Sequence, residues 1–211
     1  MTTPRPRIAV IDYGAGNLVS IEQALTEVGA DVDIVTGPDR LGTADALVVP
    51  GVGAAAPAMA RLERAGLIAP IRAWIAADRP FLGICLGLQL LFEASDEDGA
   101  ATLGVLEGRS ERLPDAPTLP HIGWNQVERA GAAHPAFDGI VDGADFYFVH
   151  SYAGVPRDAS VVLGRTTHGR PFASAVARGR LLGVQFHPER SGRDGLRLLA
   201  NVVALASRVA A

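Results

Sequence analysis

Four short runs, Arg7-Ile-Ala-Val-Ile-Asp-Tyr13, Val32-Asp-Ile-Val35, Ala46-Leu-Val-Val49 and Phe81-Leu-Gly-Ile84, are mostly apolar on successive residues rather than on alternate ones. A strand without a polar face has to be covered on both sides, which is the condition of a parallel sheet held between helices. The intervening segments supply those helices. Asn17 is placed to cap a helix reaching about Val28, along which Leu18, Ile21, Leu25 and Val28 recur at spacings of three and four. Gly29 follows in the position that ends such a helix. Pro57 to Ala76 reads as a second helix, interrupted near Gly66 and Pro70, and Leu86 to Glu93 as a third, entered directly from the fourth strand.

Beyond about Gly104 the helical periodicity fades and short β runs replace it: Gln126–Glu128, Asp145–Val149, Ser160–Leu163, Phe172–Val176 and Leu181–Val184. A last helix is expected from about Asp194 to Val209, with Leu196, Leu199, Val203 and Ala206 on one side. The fold class that results is α/β: an open, mostly parallel sheet with helices on both faces, extended by mixed or antiparallel strands in the second half. No linker, repeat or low-complexity tract divides the chain, so residues 1–211 read as one domain.

Composition narrows the function. Lys and Arg total 19 against 23 Asp and Glu, a net charge of −4, which argues against a nucleic-acid-binding surface. One cysteine among 211 residues excludes an internal disulfide framework and fits a reducing, cytoplasmic setting. No apolar run approaches the ~20 residues of a membrane-spanning helix, and the segment Met1 to Arg7 does not resemble a signal peptide.

That single cysteine sits in Gly83-Ile-Cys85-Leu-Gly87, between an apolar strand and a helical stretch. A sharp strand-to-helix turn exposes a nucleophile at its apex, and glycines two residues to either side remove the Cβ atoms that would collide there. The helix start favours the thiolate, and the Leu86 amide is placed to meet a developing oxyanion. A buried structural cysteine is the competing reading. A thiolate needs a base, and among the five histidines His187 stands out in Gly183-Val-Gln-Phe-His-Pro-Glu189. In an extended segment His187 and Glu189 point to one side, so the carboxylate can orient the imidazole. A zinc site is disfavoured by the lone cysteine and the absence of a spaced histidine pair, and no metal or cofactor is expected. Pro50-Gly-Val-Gly53 follows the third strand at the sheet's carboxyl end, where open α/β folds bind ligands, and Val52 is the candidate second oxyanion donor. Gly14-Ala-Gly16 suggests a dinucleotide loop, but Val19 stands where the fingerprint needs its third glycine, so a structural turn is expected there.

Gly83-Ile-Cys-Leu-Gly-Leu-Gln89 together with Phe186-His-Pro-Glu189 resembles the triad, class I, glutamine amidotransferases. Within that family, four more segments look like those of glutaminase subunits serving histidine biosynthesis: Ile11 to Asn17, Pro50 to Gly53, Pro120-His-Ile-Gly-Trp-Asn125 and Tyr147-Phe-Val-His-Ser-Tyr152. The resemblance implies a flavodoxin-like fold and a catalytic set of Cys85, His187 and Glu189. It implies that Gly53, Gln89, Glu97, Ser151 and Tyr152 bind L-glutamine. It also implies a heterodimer with a cyclase subunit built as a (β/α)8 barrel, since some 200 residues leave no room for chemistry that consumes ammonia. Trp124, Asn125 and Arg190 are the candidate interface residues. The chain departs from the family pattern in having Arg190 after His-Pro-Glu where Lys is expected, Ile122 where Met is common, and Ala54–Ala56 where an aromatic is frequent. Two other readings stand beside this one: a glutaminase subunit of the anthranilate-synthase type, and a flavodoxin-like binding module without covalent chemistry.

Overall fold

Neighbouring residues of a strand face opposite sides of its sheet, and in the first strand both sides are buried. Ile8 and Val10 join one apolar layer while Ala9 and Ile11 join the other. The computed structural model describes residues 5–207. The expected last turn of the final helix, 208–209, and residues 1–4 of the N-terminal segment lie outside them.

The first half follows the alternation of strand and helix: β1 (Arg7–Ile11), α1 (Leu18–Glu27), β2 (Asp31–Val35), β3 (Ala46–Gly51), α2 (Ala55–Arg64), α3 (Ile68–Ala76), β4 (Phe81–Cys85) and α4 (Leu86–Gln89). Asn17 caps α1 through its side-chain oxygen, which accepts the Ser20 N–H at 3.4 Å. The helix expected over 57–76 is broken once, at Gly66, whose φ of 68° no helix accommodates. Pro70 causes no break. It is the third residue of α3, where the backbone N–H has no intrahelical acceptor to lose.

The second half contains β5 (Ala94–Ser95), β6 (Gly108–Arg112), β7 (His121–Arg129), β8 (Ala144–His150), β9 (Tyr152–Pro156), β10 (Val162–His168), β11 (Arg170–Arg178), β12 (Leu181–Val184) and α5 (Gly192–Ser207). The nine-stranded sheet has the order β2-β1-β3-β4-β12-β11-β10-β7-β8. From β2 through β12 neighbours run parallel; from β12 through β8 they run antiparallel. Helices α1 and α5 cover one face with Ile21, Leu25, Leu198 and Leu199. Helices α2 and α3 cover the other with Leu62, Ile71 and Trp74. A separate three-stranded sheet, β5-β6-β9, was not anticipated by the periodicity.

The helix expected over 86–93 ends after four residues. The carbonyls that would continue it are taken from outside. Leu90 O accepts the Leu103 N–H at 2.9 Å, Leu91 O accepts Val105 and Leu106 N–H at 2.8 Å each, and Phe92 O accepts Gly104 N–H at 2.7 Å. The returning chain therefore replaces the helical ladder, and the long helix dipole expected behind Cys85 shrinks to a single turn.

This turn is made possible by two close backbone approaches. A Cβ on Gly87 would overlap the Val49 carbonyl oxygen, and one on Gly83 would lie 2.7 Å from the Gly87 carbonyl oxygen. Neither neighbour is a flexible side-chain end, so the sheet itself would have to shift. Gly87→Ala is expected to lower stability by about 3 kcal/mol, the upper range for overpacking a rigid site. Urea denaturation reads this directly, and an unchanged midpoint would contradict the described packing of α4 against β3.

Candidate active site

The register of the parallel strands sets the site. Gly51 pairs with Cys85 across β3 and β4, and Ile84 pairs with Val184 across β4 and β12. The residues leaving the carboxyl ends of three adjacent strands are thus brought side by side, at the end of an open α/β sheet where ligands bind. Gln185 follows Val184 and faces the sulfur: its Nε2 donates to Cys85 Sγ at 3.6 Å. His187 lies two residues further on, past a bend at Gln185 and Phe186, with its own backbone extended.

Cys85 occupies the apex of the strand-to-helix turn with φ 54° and ψ −107°. A non-glycine residue there carries strain on the order of 1–3 kcal/mol, which the flanking strand pairing has to sustain. Besides Gln185, the thiol lies 3.9 Å from the Val149 carbonyl oxygen.

His187 is fixed at both ends of its backbone. Its N–H donates to Tyr147 O at 2.8 Å, and its carbonyl accepts the Ser191 hydroxyl at 2.6 Å. The Ser191 oxygen in turn accepts Tyr147 N–H at 2.9 Å. The imidazole Nδ1 lies 2.8 Å from Glu189 Oε1, with both side chains buried. The pair does not come from strand alternation as the sequence suggested. Pro188–Arg190 is a short 3-10 turn that folds Glu189 back onto the ring. Among the described residues His187 Nε2 has no hydrogen-bond partner, on the side away from Glu189. Burial opposes charge on this ring. The Cys85 sulfur and the Glu189 carboxylate outweigh it and hold His187 up at about 10, so the imidazolium is the resting form at neutral pH.

A cleft of ≈ 280 Å³ opens over the sulfur. Val52, Gly53, Leu86, Gln89, Glu97, Ser151 and Tyr152 all line it with Cys85, so the expected oxyanion and glutamine-pocket residues converge on one space. Glu97 is pushed above the ordinary carboxylate range by burial and then by neighbouring Asp98. The Gln89 Nε2 donates to the Tyr152 carbonyl at 2.8 Å and to Gln185 Oε1 at 3.2 Å, which fixes the side chain in the cleft wall.

Sequence reading missed Gln185 and Tyr13. The spacing Gln185-x-His187 on an extended run was the available signal for the first. The Tyr13 hydroxyl is buried against Gly51 without a partner among the described residues, and its pKa is raised by burial and then by the charge of Cys85, with Arg61 opposing. Gly14-Ala-Gly16 forms a turn: Gly14 N–H donates to Asp12 Oδ1 at 2.8 Å and its carbonyl accepts Arg61 Nη1 at 2.7 Å. Trp124 and Arg190 lie apart from the cleft on an outer face, and Asn125 turns inward from it.

The family model for class-I glutamine amidotransferases matches residues 9–205. The chain belongs to the class-I glutamine amidotransferases. It is 51% identical to the "Imidazole glycerol phosphate synthase subunit HisH" of Moorella thermoacetica, over 92% of each chain. The protein of the same name from Chloroflexus aurantiacus is 48% identical, over 93% of this chain and 94% of its own. Among solved structures, PurLQS from Thermotoga maritima superposes with a TM-score of 0.77 at 19% identity, over 96% of this chain and 99% of that one. A crystal structure titled simply glutamine amidotransferase gives 0.72 at 23% identity, over 94% and 98%. Those two likenesses speak for the fold, an open α/β sheet with helices on both faces.

The raised His187 makes a signed prediction. A group whose folded pKa exceeds its ordinary value of 6.5 adds stability in full below that pH and loses it as pH climbs toward about 10. The stability advantage of the wild type over His187→Asn is therefore expected to shrink between those two pH values, as read from urea midpoints. A difference independent of pH would contradict the assigned ion-pair environment.

Proposed function

We propose that this chain is the glutaminase subunit of an imidazole glycerol phosphate synthase, with Cys85, His187 and Glu189 as its catalytic set. The observation that carries the reading is the buried His187–Glu189 pair set beside a cysteine at a strained strand-to-helix apex.

In this reading the Cys85 thiolate attacks the side-chain carboxamide carbon of L-glutamine. The carbonyl oxygen takes up negative charge between the backbone N–H groups of Leu86 and Val52, each such donor being worth about 3 kcal/mol in a water-poor site. The His187 imidazolium, held by Glu189, gives its Nε2 proton to the departing nitrogen. The C–N bond breaks, ammonia leaves, and a thioester remains on Cys85. Neutral His187 then takes a proton from water, hydroxide adds to the thioester carbon, and glutamate departs as the thiolate is restored. Glu97 receives the substrate's α-ammonium, and Gly53, Ser151 and Tyr152 frame its α-carboxylate end.

The ammonia is passed to a cyclase subunit with a (β/α)8 barrel, which makes imidazole glycerol phosphate and an aminoimidazole carboxamide ribotide. The surface that suits this partner lies on β7 and the turn after His187. Ile122 and Trp124 are 60% and 57% exposed, large apolar side chains open to solvent. The Trp124 ring meets Tyr147 edge-on at 6.2 Å, and the Arg190 guanidinium stacks over the same tyrosine at 4.1 Å. An aromatic anchor beside an arginine is the composition of an interface hot spot. Among the described residues no helix is long and apolar enough to cross a membrane. We assign the assembly to the cytoplasm and the whole chain to one domain.

A glutamine-analogue alkylator is expected to add a single mass increment at Cys85 and none to Cys85→Ala, and glutamate release with the cyclase and its ribonucleotide is expected to vanish in the same variant. Modification with Cys85 absent, or turnover that survives its loss, would refute the reading. Trp124→Ala is expected to weaken the two-subunit complex by about 2 kcal/mol or more, as calorimetry measures, without altering the subunit's own melting. An unchanged affinity would move the interface elsewhere.

A further inference from the structure

A continuous file of hydrogen bonds runs from the half-exposed side chain of Asn125 to the Cys85 sulfur. Asn125 Oδ1 accepts Gln126 N–H at 2.9 Å, which fixes the orientation of the amide. Its Nδ2 then donates to Thr167 O at 3.0 Å and to His121 Nε2 at 3.1 Å. An imidazole that accepts at Nε2 carries its proton on Nδ1, and His121 Nδ1 lies 3.1 Å from His150 Nε2. His150 Nδ1 lies 2.9 Å from the Tyr152 carbonyl oxygen, which can only accept. Both neutral rings therefore hold the Nδ1–H tautomer, and their donors point the same way along the file. The Tyr152 carbonyl also accepts from Gln89, and Gln89 reaches Cys85 through Gln185.

The rings are locked as well as linked. His121 is stacked on Phe148 at 4.9 Å and on His168 at 4.1 Å, and His168 Nε2 donates to Thr118 O at 2.8 Å. Burial, helped by the charge of His168, lowers His121 to about 4. Burial lowers His150 to about 3 against the opposing pull of its bond to Tyr152, so both rings are uncharged at neutral pH. Turning either ring over would set donor against donor or acceptor against acceptor, so the file admits one arrangement and resists partial disturbance. Among the described residues no three His, Cys, Asp or Glu side chains converge to hold a metal, so the cluster has no metal-binding explanation. Strand β7 supplies both ends of the logic: it shows Ile122 and Trp124 to solvent and turns His121 and Asn125 inward.

We infer that His121 is a positioning residue, acting through His150, which keeps β7 in register with Tyr152, Gln89 and Gln185 and so transmits a partner's grip on Trp124 to the walls of the glutamine cleft. This inference rests on the function proposed above for the site and its partner. The route offered for it is a contiguous, directional set of contacts.

The test uses the two-subunit complex, with His121→Phe, which keeps the stacked ring and removes both hydrogen bonds, and His121→Asn, which keeps a donor near the Nδ1 position. Glutamate release is measured for the subunit alone and with the ligand-saturated cyclase. For His121→Phe, the unaccompanied kcat and the Cys85 alkylation rate are expected to stay within about twofold of wild type. The partner-stimulated kcat is expected to fall roughly five- to tenfold at unchanged KM, the scale of one neutral hydrogen bond. His121→Asn is expected to recover most of the loss. Full stimulation of His121→Phe, or an equal fall with and without partner, would overturn the inference. Nitrogen NMR of the isotope-labelled chain is expected to show Nδ1–H tautomers on both His121 and His150, and Nε2–H on either would also overturn it. Should the wild type itself release no glutamate with the cyclase, the functional reading fails, and the tautomers still decide whether the file exists.

Discussion

The parallel pairing of β12 with β4 joins parts of the chain 100 residues apart, and the proposed chemistry depends on that join. Only because Val184 stands opposite Ile84 do the next residues on each strand, Gln185 and Cys85, meet. The chain after Gln185 then has a fixed origin, and the bend at Gln185 and Phe186 brings His187 toward the sulfur. A slip of one residue would send Gln185 and His187 to the opposite face and leave the sulfur without either. The register is held by apolar pressure from both sides: Leu82 and Ile84 pack against the layer of α1 and α5, while Phe81 packs into the layer of α2 and α3.

That rigid sheet is what allows a strained cysteine. Backbone strain at Cys85 persists only where the surroundings give it no cheaper alternative. Here β4 is clamped between β3 and β12 immediately before the apex, and α4 is pressed onto Val49 immediately after it. The glycines at 83 and 87 are the points at which backbone meets backbone. The same clamp explains why one helical turn suffices after Cys85. The turn positions the Leu86 amide, and the rest of the segment is released to pair with residues 102–106.

What the sequence disclosed followed from locality. The four parallel strands, the Asn17 cap and the elbow glycines are each specified within a few residues, so period and spacing reveal them. The triad candidates were legible because each sits at the end of an apolar run. The separate β5-β6-β9 sheet was not, because β6 alternates weakly and its partner β9 lies over 40 residues away, out of view of any local pattern. The early end of α4 was hidden for the same reason: its lost ladder is replaced by carbonyl acceptance from a loop, a choice that propensity at 90–93 does not encode. Pro70 misled in the opposite direction, since a proline in a first turn and one in a helix interior look identical until the helix start is known.

The histidines show how burial converts one residue type into two opposite devices. His187 is buried beside a carboxylate and a sulfur, so desolvation is outweighed and the ring holds a proton at neutral pH. His121 and His150 are buried among aromatic rings, a carbonyl and each other, so desolvation prevails and they stay neutral. A charged imidazole can deliver a proton. A neutral one has a donor side and an acceptor side, and so can carry direction through a hydrogen-bonded file. In the proposed function the first property serves bond breaking at Cys85. The second suits a scaffold that must sense contact on one face of β7 and hold the cleft wall on the other, and the two coexist because the sheet keeps the anionic pair and the aromatic stack on separate strands.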